Sequence, residues 1–400
     1  MKLKRTIGVI IIICILFSFS SYAGFLDIEK DDLYYEETSV LSALGVINGY
    51  EDGNFKPENK VTRAEFCALI TRLLGRGEAG NHKMKTNFTD VPYEHWASGY
   101  ISASEDAGLV NGVGNGKFEP EEEVTYEQAV KIIVSSVGYT PKAEISGGYP
   151  SGYMLVGNQI GITKGTVKNE GGQSRQTVIK LLFNALTCPN MSGGFGWGWG
   201  ISPQEHFEIE YETTILYYRL GIIKADAKIT SFDKSIANLK YNSLDECATL
   251  NGWSIEENPY GKIPDRISIE GVDLADVIGL PANIYIDVWD DETQKLATDE
   301  NIKIVIAVPQ KGIPTIKTDS NMLISKNNNG YIEYYKTETD EIATRTKIAE
   351  EMKVYSNLSS SYSDIKTKAD NSRDVLLYKF MDTDKDGIFE TVFMEEKPEE

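Results

Sequence analysis

The sequence predicts a multidomain α plus β protein: an N-terminal helical part built from three copies of one two-helix unit, then a C-terminal part that is mostly β. Three observations carry this prediction. Segments of the first half recur 63 residues apart, as Gly45-Val46-Ile47-Asn48-Gly49 and Gly108-Leu109-Val110-Asn111-Gly112 do. Apolar residues in that half fall at helical spacing behind capping residues, and in the second half the apolar period drops from about 3.6 to about 2.

The first 23 residues read as a secretory signal peptide. Lys2, Lys4 and Arg5 form a positive start, Ile7 to Phe17 is an almost unbroken apolar run, and Ser21-Tyr22-Ala23 supplies small residues before Gly24. A run of about 11 apolar residues is shorter than the roughly 20 that a spanning helix needs. The protein is therefore expected to be secreted, with no membrane span after signal removal. Formal net charge is −20, and loss of the three basic signal residues takes it to −23. Such acidity argues against nucleic acid as a partner, because phosphate binding needs clustered Lys and Arg. Cys67, Cys188 and Cys247 remain after the signal, an odd number with neither zinc nor disulfide spacing. Cys67 lies on an apolar helical stripe and reads as a small buried hydrophobe.

Each repeat has the same physical logic. A short Asp-containing opening, Phe25-Leu26-Asp27-Ile28 or Phe88-Thr89-Asp90-Val91, leads to a first helix around Val40–Leu44 or Ile101–Ala107. That helix ends at Gly45 or Gly108, where a left-handed residue is wanted. A glycine-rich turn follows, Asp52 to Pro57 or Gly114 to Pro120. The second helix opens on a capping box, Thr62 with Glu65 or Thr125 with Gln128. Behind the caps come the stripes Phe66, Leu69, Ile70, Leu73 and Val130, Ile133, Val134, Val137. A weaker third copy runs from Gly161-Ile162-Thr163-Lys164-Gly165, 53 residues beyond the second, to Ser174-Arg175-Gln176 and the stripe Val178, Leu181, Leu182, Ala185. One stripe cannot bury itself, so the three second helices should pack together.

The segments Phe25…Asp27, Gly45 to Gly49, Asp52-Gly53…Phe55…Pro57 and Val61-Thr62-Arg63-Ala64-Glu65 resemble one S-layer homology (SLH) repeat, and Phe88-Thr89-Asp90-Val91…His95-Trp96-Ala97 with Gly108 to Pro120 resembles a second. The resemblance spans about residues 25 to 190. It implies a pseudo-threefold bundle of three SLH repeats, at 24–86, 87–145 and, degenerate, 146–191, on the cell wall or in an S-layer at the cell surface. It also implies a secondary cell-wall polysaccharide as partner, often recognised through a pyruvylated sugar, and equates Arg63 with a ligand contact.

Because polymer and protein both carry negative charge, binding must rest on local donors. A helix start supplies free N–H groups and partial positive charge, and Arg63 in that first turn adds a fork suited to a carboxylate. Trp96 offers a flat face to a sugar, or else anchors the core; Asp27 and Asp90 orient hydroxyls or brace the loop. Capping alone explains Thr62 and Glu65. Tyr126 stands where the second repeat's arginine belongs, and the third repeat lacks the Phe–Asp opening and the turn proline, with Arg175 as its candidate. These departures leave one or two binding grooves, not three.

Ser192 to Gly200 alternates glycine with Phe195, Trp197 and Trp199, and its composition reads as part of a linker over 192–205. The region 206–400 should be β-rich: Ile284, Ile286 and Val288 alternate with polar or aromatic residues, and Ile302–Val308 is β-branched. Strands flanking Asn327-Asn328-Asn329-Gly330 form a hairpin, and Val375–Phe380 and Thr391–Phe393 a last pair. That pair encloses Asp382, Asp384 and Asp386 at alternate positions, with Glu390 following at loop position 9, oxygen ligands that suit calcium in a β-hairpin loop; a polar Asp-Gly turn is the plainer alternative. No histidine follows His206, and neither G-x-S-x-G nor H-E-x-x-H occurs, so no enzyme is expected. The C-terminal region then serves structure or interaction, including self-association in a surface layer. An SLH-anchored exoenzyme acting on polysaccharide through two carboxylates is the alternative.

Overall fold

The computed structural model describes residues 24–197, 203–232, 235–255, 262–269, 272, 274, 277–290, 295–296, 301–319, 323–325, 330–336, 342–356 and 375–396. The signal-peptide reading over 1–23 and the hairpin tip at 327–329 lie outside them. The described residues divide into two units: 24–223 with 244–262, and 224–243 with those from 263 onward.

The first unit holds helices α1 (Tyr35–Ala43), α2 (Arg63–Leu73), α3 (Ser98–Asp106), α4 (Tyr126–Ser136), α5 (Thr140–Ile145), α6 (Ser151–Gln159) and α7 (Arg175–Leu186). Pairs α1–α2, α3–α4 and α6–α7 are the three copies, and α5 is an addition. Gly45 and Gly108 take the predicted left-handed conformation, at φ +69° and +67°. Both capping boxes are complete: Thr62 Oγ1 accepts from Glu65 N while Glu65 Oε2 accepts from Thr62 N, and Thr125 with Gln128 repeats the pattern. Ser174 caps differently, its hydroxyl being committed to Asn169 Oδ1 and Thr177 Oγ1. All three apolar stripes are buried. Cys67 is buried with them, and burial pushes its thiol up to about 12. The three described cysteines form no disulfide.

The residue before each N-cap closes a ring of main-chain hydrogen bonds. Val61 N donates to Gln173 O at 3.0 Å, Gln173 N to Val124 O at 2.9 Å, and Val124 N to Val61 O at 2.9 Å. Three segments far apart in sequence thus satisfy one another's backbone at the point where the second helices begin. Lys180 Nζ on α7 adds an ion pair at 2.5 Å to Glu37 of α1, which is 4% exposed.

The linker expectation is corrected here. Residues Pro189–Trp197 form β1, which pairs antiparallel with β2 (Pro203–Thr214). The alternation of glycine with aromatics is a period of two, a strand signal that outweighs the glycine content. The unit boundary also falls after residue 223 instead of at 205, and the short helix α8 (Glu246–Leu250) belongs to the first unit.

The second unit is β, as predicted. Strands β3 (Ile222–Phe232), β4 (Ile236–Leu244), β5 (Arg266–Ser268) and β6 (Pro281–Asp287) precede a small ribbon, β7 (Trp289–Asp290) with β8 (Lys295–Leu296). With β9 (Lys303–Pro309) they close a barrel in the order β3-β4-β5-β9-β6. Ile304, Ile306 and Val308 of β9 are buried with period two, whereas in β6 Tyr285 is buried along with Ile284 and Ile286. A six-stranded sheet follows: β10 (Thr315–Asp319), β11 (Leu323–Ser325), β12 (Tyr331–Tyr334), β13 (Thr344–Ser356), β14 (Val375–Met381) and β15 (Phe389–Glu396), ordered β10-β14-β15-β13-β12-β11. The hairpin β11–β12 and the pair β14–β15 are both antiparallel. Among the described residues, no helix is long and apolar enough to cross a membrane.

Candidate functional site

The turns after the first helices are built alike. Phe25 packs on Phe55 with ring centroids 5.3 Å apart, and Phe88 on Phe118 at 5.1 Å. The glycine of each Asn-Gly pair makes room: an added Cβ would lie 2.7 Å from the Phe25 ring at Gly49 and 2.9 Å from the Phe88 ring at Gly112. Asp27 accepts from Phe55 N (2.6 Å) and Lys56 N (2.7 Å); Asp90 accepts from Phe118 N and Glu119 N, both at 2.8 Å. Both aspartates therefore brace the loop. Partial burial pushes the Asp90 carboxyl up, but the two amides outweigh it and hold the group below the ordinary value.

Onto each turn docks the second helix of another repeat. Arg63 Nε donates to Phe118 O at 2.8 Å and its Nη2 to Asn111 O at 3.3 Å. Arg175 repeats this with Phe55 O (2.8 Å) and Asn48 O (3.0 Å). Each guanidinium lies over the ring it serves, 4.4 Å from Phe118 and 4.6 Å from Phe55. Arg63 is 9% exposed and Arg175 somewhat more open. One edge of each fork is thus spent on carbonyls, which leaves the end of the guanidinium as the donor face for a ligand.

The first two amides of α2 and of α7 are not free. Arg63 N and Ala64 N donate to Glu122 O and Pro120 O, Arg175 N and Gln176 N to Asn59 O and Pro57 O, and Glu65 N to the Thr62 hydroxyl. The expected anion site on bare helix N–H groups is corrected accordingly: neighbouring turns consume those donors, and the arginine side chains carry the positive charge. At the remaining junction Tyr126 OH meets Thr166 Oγ1 at 2.5 Å and Lys168 pairs with Glu127, so no guanidinium sits there.

Trp96 is 46% exposed, which excludes the core-anchor role. It stacks on His95 (6.0 Å) and meets Tyr100 edge-on (6.4 Å). His95 Nδ1 accepts from Ala97 N while Nε2 faces Glu121 Oε1 at 3.1 Å, so the neutral ring carries its proton on Nε2. Tyr50, which no sequence argument singled out, lies beneath Arg175 at 4.9 Å.

A profile of the S-layer homology domain matches residues 24–67 and 87–130, the two repeats that carry the braced turns. The chain carries S-layer homology domains. It is an SLH-domain protein of the cell surface, and the α6–α7 segment that carries Arg175 lies outside the matched residues. The chain is 31% identical over 224 residues to a surface layer protein of Brevibacillus choshinensis, covering 54% of this chain and 18% of that one. It is 38% identical over 81 residues to a cellulosome-anchoring protein of Acetivibrio thermocellus, 20% of this chain and 18% of the relative. An endoglucanase of a Bacillus strain matches at 28% over 154 residues, 34% of this chain and 16% of its own length. The SLH chain thus spans about a fifth of the length of these relatives.

In the second unit, the β14–β15 loop gathers Asp382, Asp384 and Glu390, with one oxygen of each within 4.8 Å of the others. Asp382, 2% exposed, accepts from Asp386 N and Gly387 N. Glu390 Oε1 accepts from Thr383 N and the Thr383 hydroxyl, while its Oε2 is buried without a partner. Desolvation, then the neighbouring carboxylates of Asp386 and Glu390, raise the Asp384 carboxyl. Asp386 does not join the group. Lys385 takes a left-handed conformation at φ +64°, and Asp386 Oδ1 instead accepts from Ile388 N at 2.7 Å. Three alternate aspartates and Glu390 were expected to converge; Asp382, Asp384 and Glu390 do.

Proposed function

We propose that this chain anchors an exported protein to the bacterial cell wall without covalent linkage, by binding secondary cell-wall polysaccharide in the grooves of a pseudo-threefold SLH bundle. The observation that carries the reading is the pair of arginine seats, identical in donor pattern at two junctions between repeats. The closed hydrogen-bond ring supports the threefold arrangement, since each repeat contributes one donor and one acceptor. Arg63 and Arg175 bind acidic or hydroxyl groups of the polymer, and Trp96 stacks on a sugar ring. Asp27 and Asp90, both committed to backbone, hold the turns. A signal peptide over 1–23 exports the chain. Sedimentation of the full-length protein with isolated walls, before and after removal of the secondary polymer, tests the reading.

The β unit is, on this reading, a structural or interaction region of a surface assembly, without catalytic activity. The endoglucanase match favours the alternative of an SLH-anchored exoenzyme, yet it covers only 16% of that protein. Screening the protein against wall and plant polysaccharides separates the two. The acidic loop takes calcium: its donors are all oxygen, and the buried, unpartnered Glu390 Oε2 supports a cation there.

A further inference from the structure

Two turns share one backbone and differ in side chains. Asp27 and Asp90 hold the same two amides, Phe55 and Phe118 present the same carbonyl to an arginine, and the next residue is left-handed in both, Lys56 at φ +56° and Glu119 at φ +59°. Side chains at positions 56 and 119 therefore leave the chain in the same direction relative to their arginine. One is a cation and the other an anion.

The aromatic partner differs as well. Tyr50 lies 4.9 Å from the Arg175 guanidinium and 4.4 Å from Lys56 Nζ, so one ring brings two cations to this seat. Val113 stands 63 residues on from Tyr50, so the second turn carries an exposed aliphatic residue in place of the ring. Lys56 is held at 2.8 Å by Asp52, both side chains well exposed. Such a surface pair contributes little and can exchange its carboxylate for a ligand's. Asn115 stands where Asp52 does, and Lys117 in the second turn acts on Asp90, helping to keep that carboxyl charged.

We propose that the two arginine seats are unequal: the Arg175 seat, with Lys56 and Tyr50, takes a carboxylate-bearing sugar, whereas the Arg63 seat, with Glu119 and Val113, takes an uncharged one. This rests on the polysaccharide-binding reading above. A carboxylate entering the Arg175 seat meets the guanidinium and, over the same Tyr50 ring, the Lys56 ammonium, set against the like charges of Glu65 and Asp27 that also act on Arg175. The same group entering the Arg63 seat meets one buried cation and the like charges of Glu119 and Asp90, with no lysine at the place of Lys56. An uncharged sugar loses nothing to Glu119, whose oxygens accept from its hydroxyls.

The test uses the full-length chain and two probes: isolated wall polymer, and the same polymer with its carboxyl groups converted to amides. Lys56→Glu is expected to weaken binding of the native polymer roughly tenfold to a hundredfold, the worth of a charge-assisted hydrogen bond. Glu119→Lys is expected to strengthen it. Each substitution places a side chain type that the matching turn already accepts at that backbone angle, and melting temperatures check that both variants fold. On the amidated polymer the difference between the two variants should vanish. Equal affinities of Lys56→Glu and Glu119→Lys for the native polymer would overturn the inequality while leaving wall binding intact. A wild-type chain that binds neither probe would overturn the underlying reading and the inequality with it.

Discussion

Arg175 donates from Nε to the carbonyl oxygen of Phe55 at 2.8 Å, although 120 residues separate them. That bond closes the third repeat onto the first, as Arg63 closes the first onto the second. Each arginine is therefore both a fastener between repeats and a candidate ligand group, and the two roles must be separated by experiment.

Arg63→Ala is expected to weaken wall binding and also to destabilise the helical unit by about 1.5–3 kcal/mol, since it strips hydrogen bonds made by a charged, largely buried group. Arg63→Lys should recover only part of either, because an ammonium cannot hold both carbonyls and a ligand. Urea unfolding and wall binding measured on the same variants check this. Wild-type values for both in the alanine variant would contradict it.

Acid should open the second turn. The Asp90 carboxyl is held below its ordinary value, so it stabilises the fold above the ordinary carboxylate range and loses that contribution as pH falls through its lowered value. Asp90→Asn should remove this part of the pH dependence and lower the midpoint of thermal unfolding at neutral pH. Unfolding curves from pH 7 down through the carboxylate range, for wild type and variant, make the comparison.

Breaking the buried ion pair between α1 and α7 should cost more than any surface change. Lys180→Ala leaves Glu37, 4% exposed, without its cation. A loss of roughly 3–5 kcal/mol is expected for stranding a buried charge, with partial recovery in the Lys180→Ala, Glu37→Gln double variant. Denaturant midpoints for the cycle decide it.

Calcium should raise the melting temperature of the β unit. The gain is about 2.7 kcal/mol at a hundredfold excess over Kd. Asp384→Ala should abolish the response, whereas Asp386→Ala should retain it, because Asp386 turns to Ile388 N. Identical melts with chelator and with calcium would reduce the loop to a turn.

Much of the helical unit was legible because its signals are local. The capping boxes at Thr62 and Thr125 and the glycines at 45 and 108 each follow from chemistry within a few residues, and the 63-residue offset shows as plain self-similarity. What stayed hidden is long-range pairing. Nothing local says that Val61, Val124 and Gln173 meet, or that Pro120 and Glu122 consume the α2 amides. Glycine content masked the period of two in β1, and one left-handed residue, Lys385, decided which aspartate left the acidic cluster. The alternation of buried residues in β9 was readable, but the burial of Tyr285 in β6 and the barrel the two strands join were not, since both depend on strand order.

The central claim is that SLH repeats hold this chain on the wall through secondary polymer. The most direct measurement is co-sedimentation of the full-length protein with walls that retain the polymer and with walls stripped of it. The protein is predicted to pellet with the first and to stay in the supernatant with the second. Equal pelleting with both would contradict the claim.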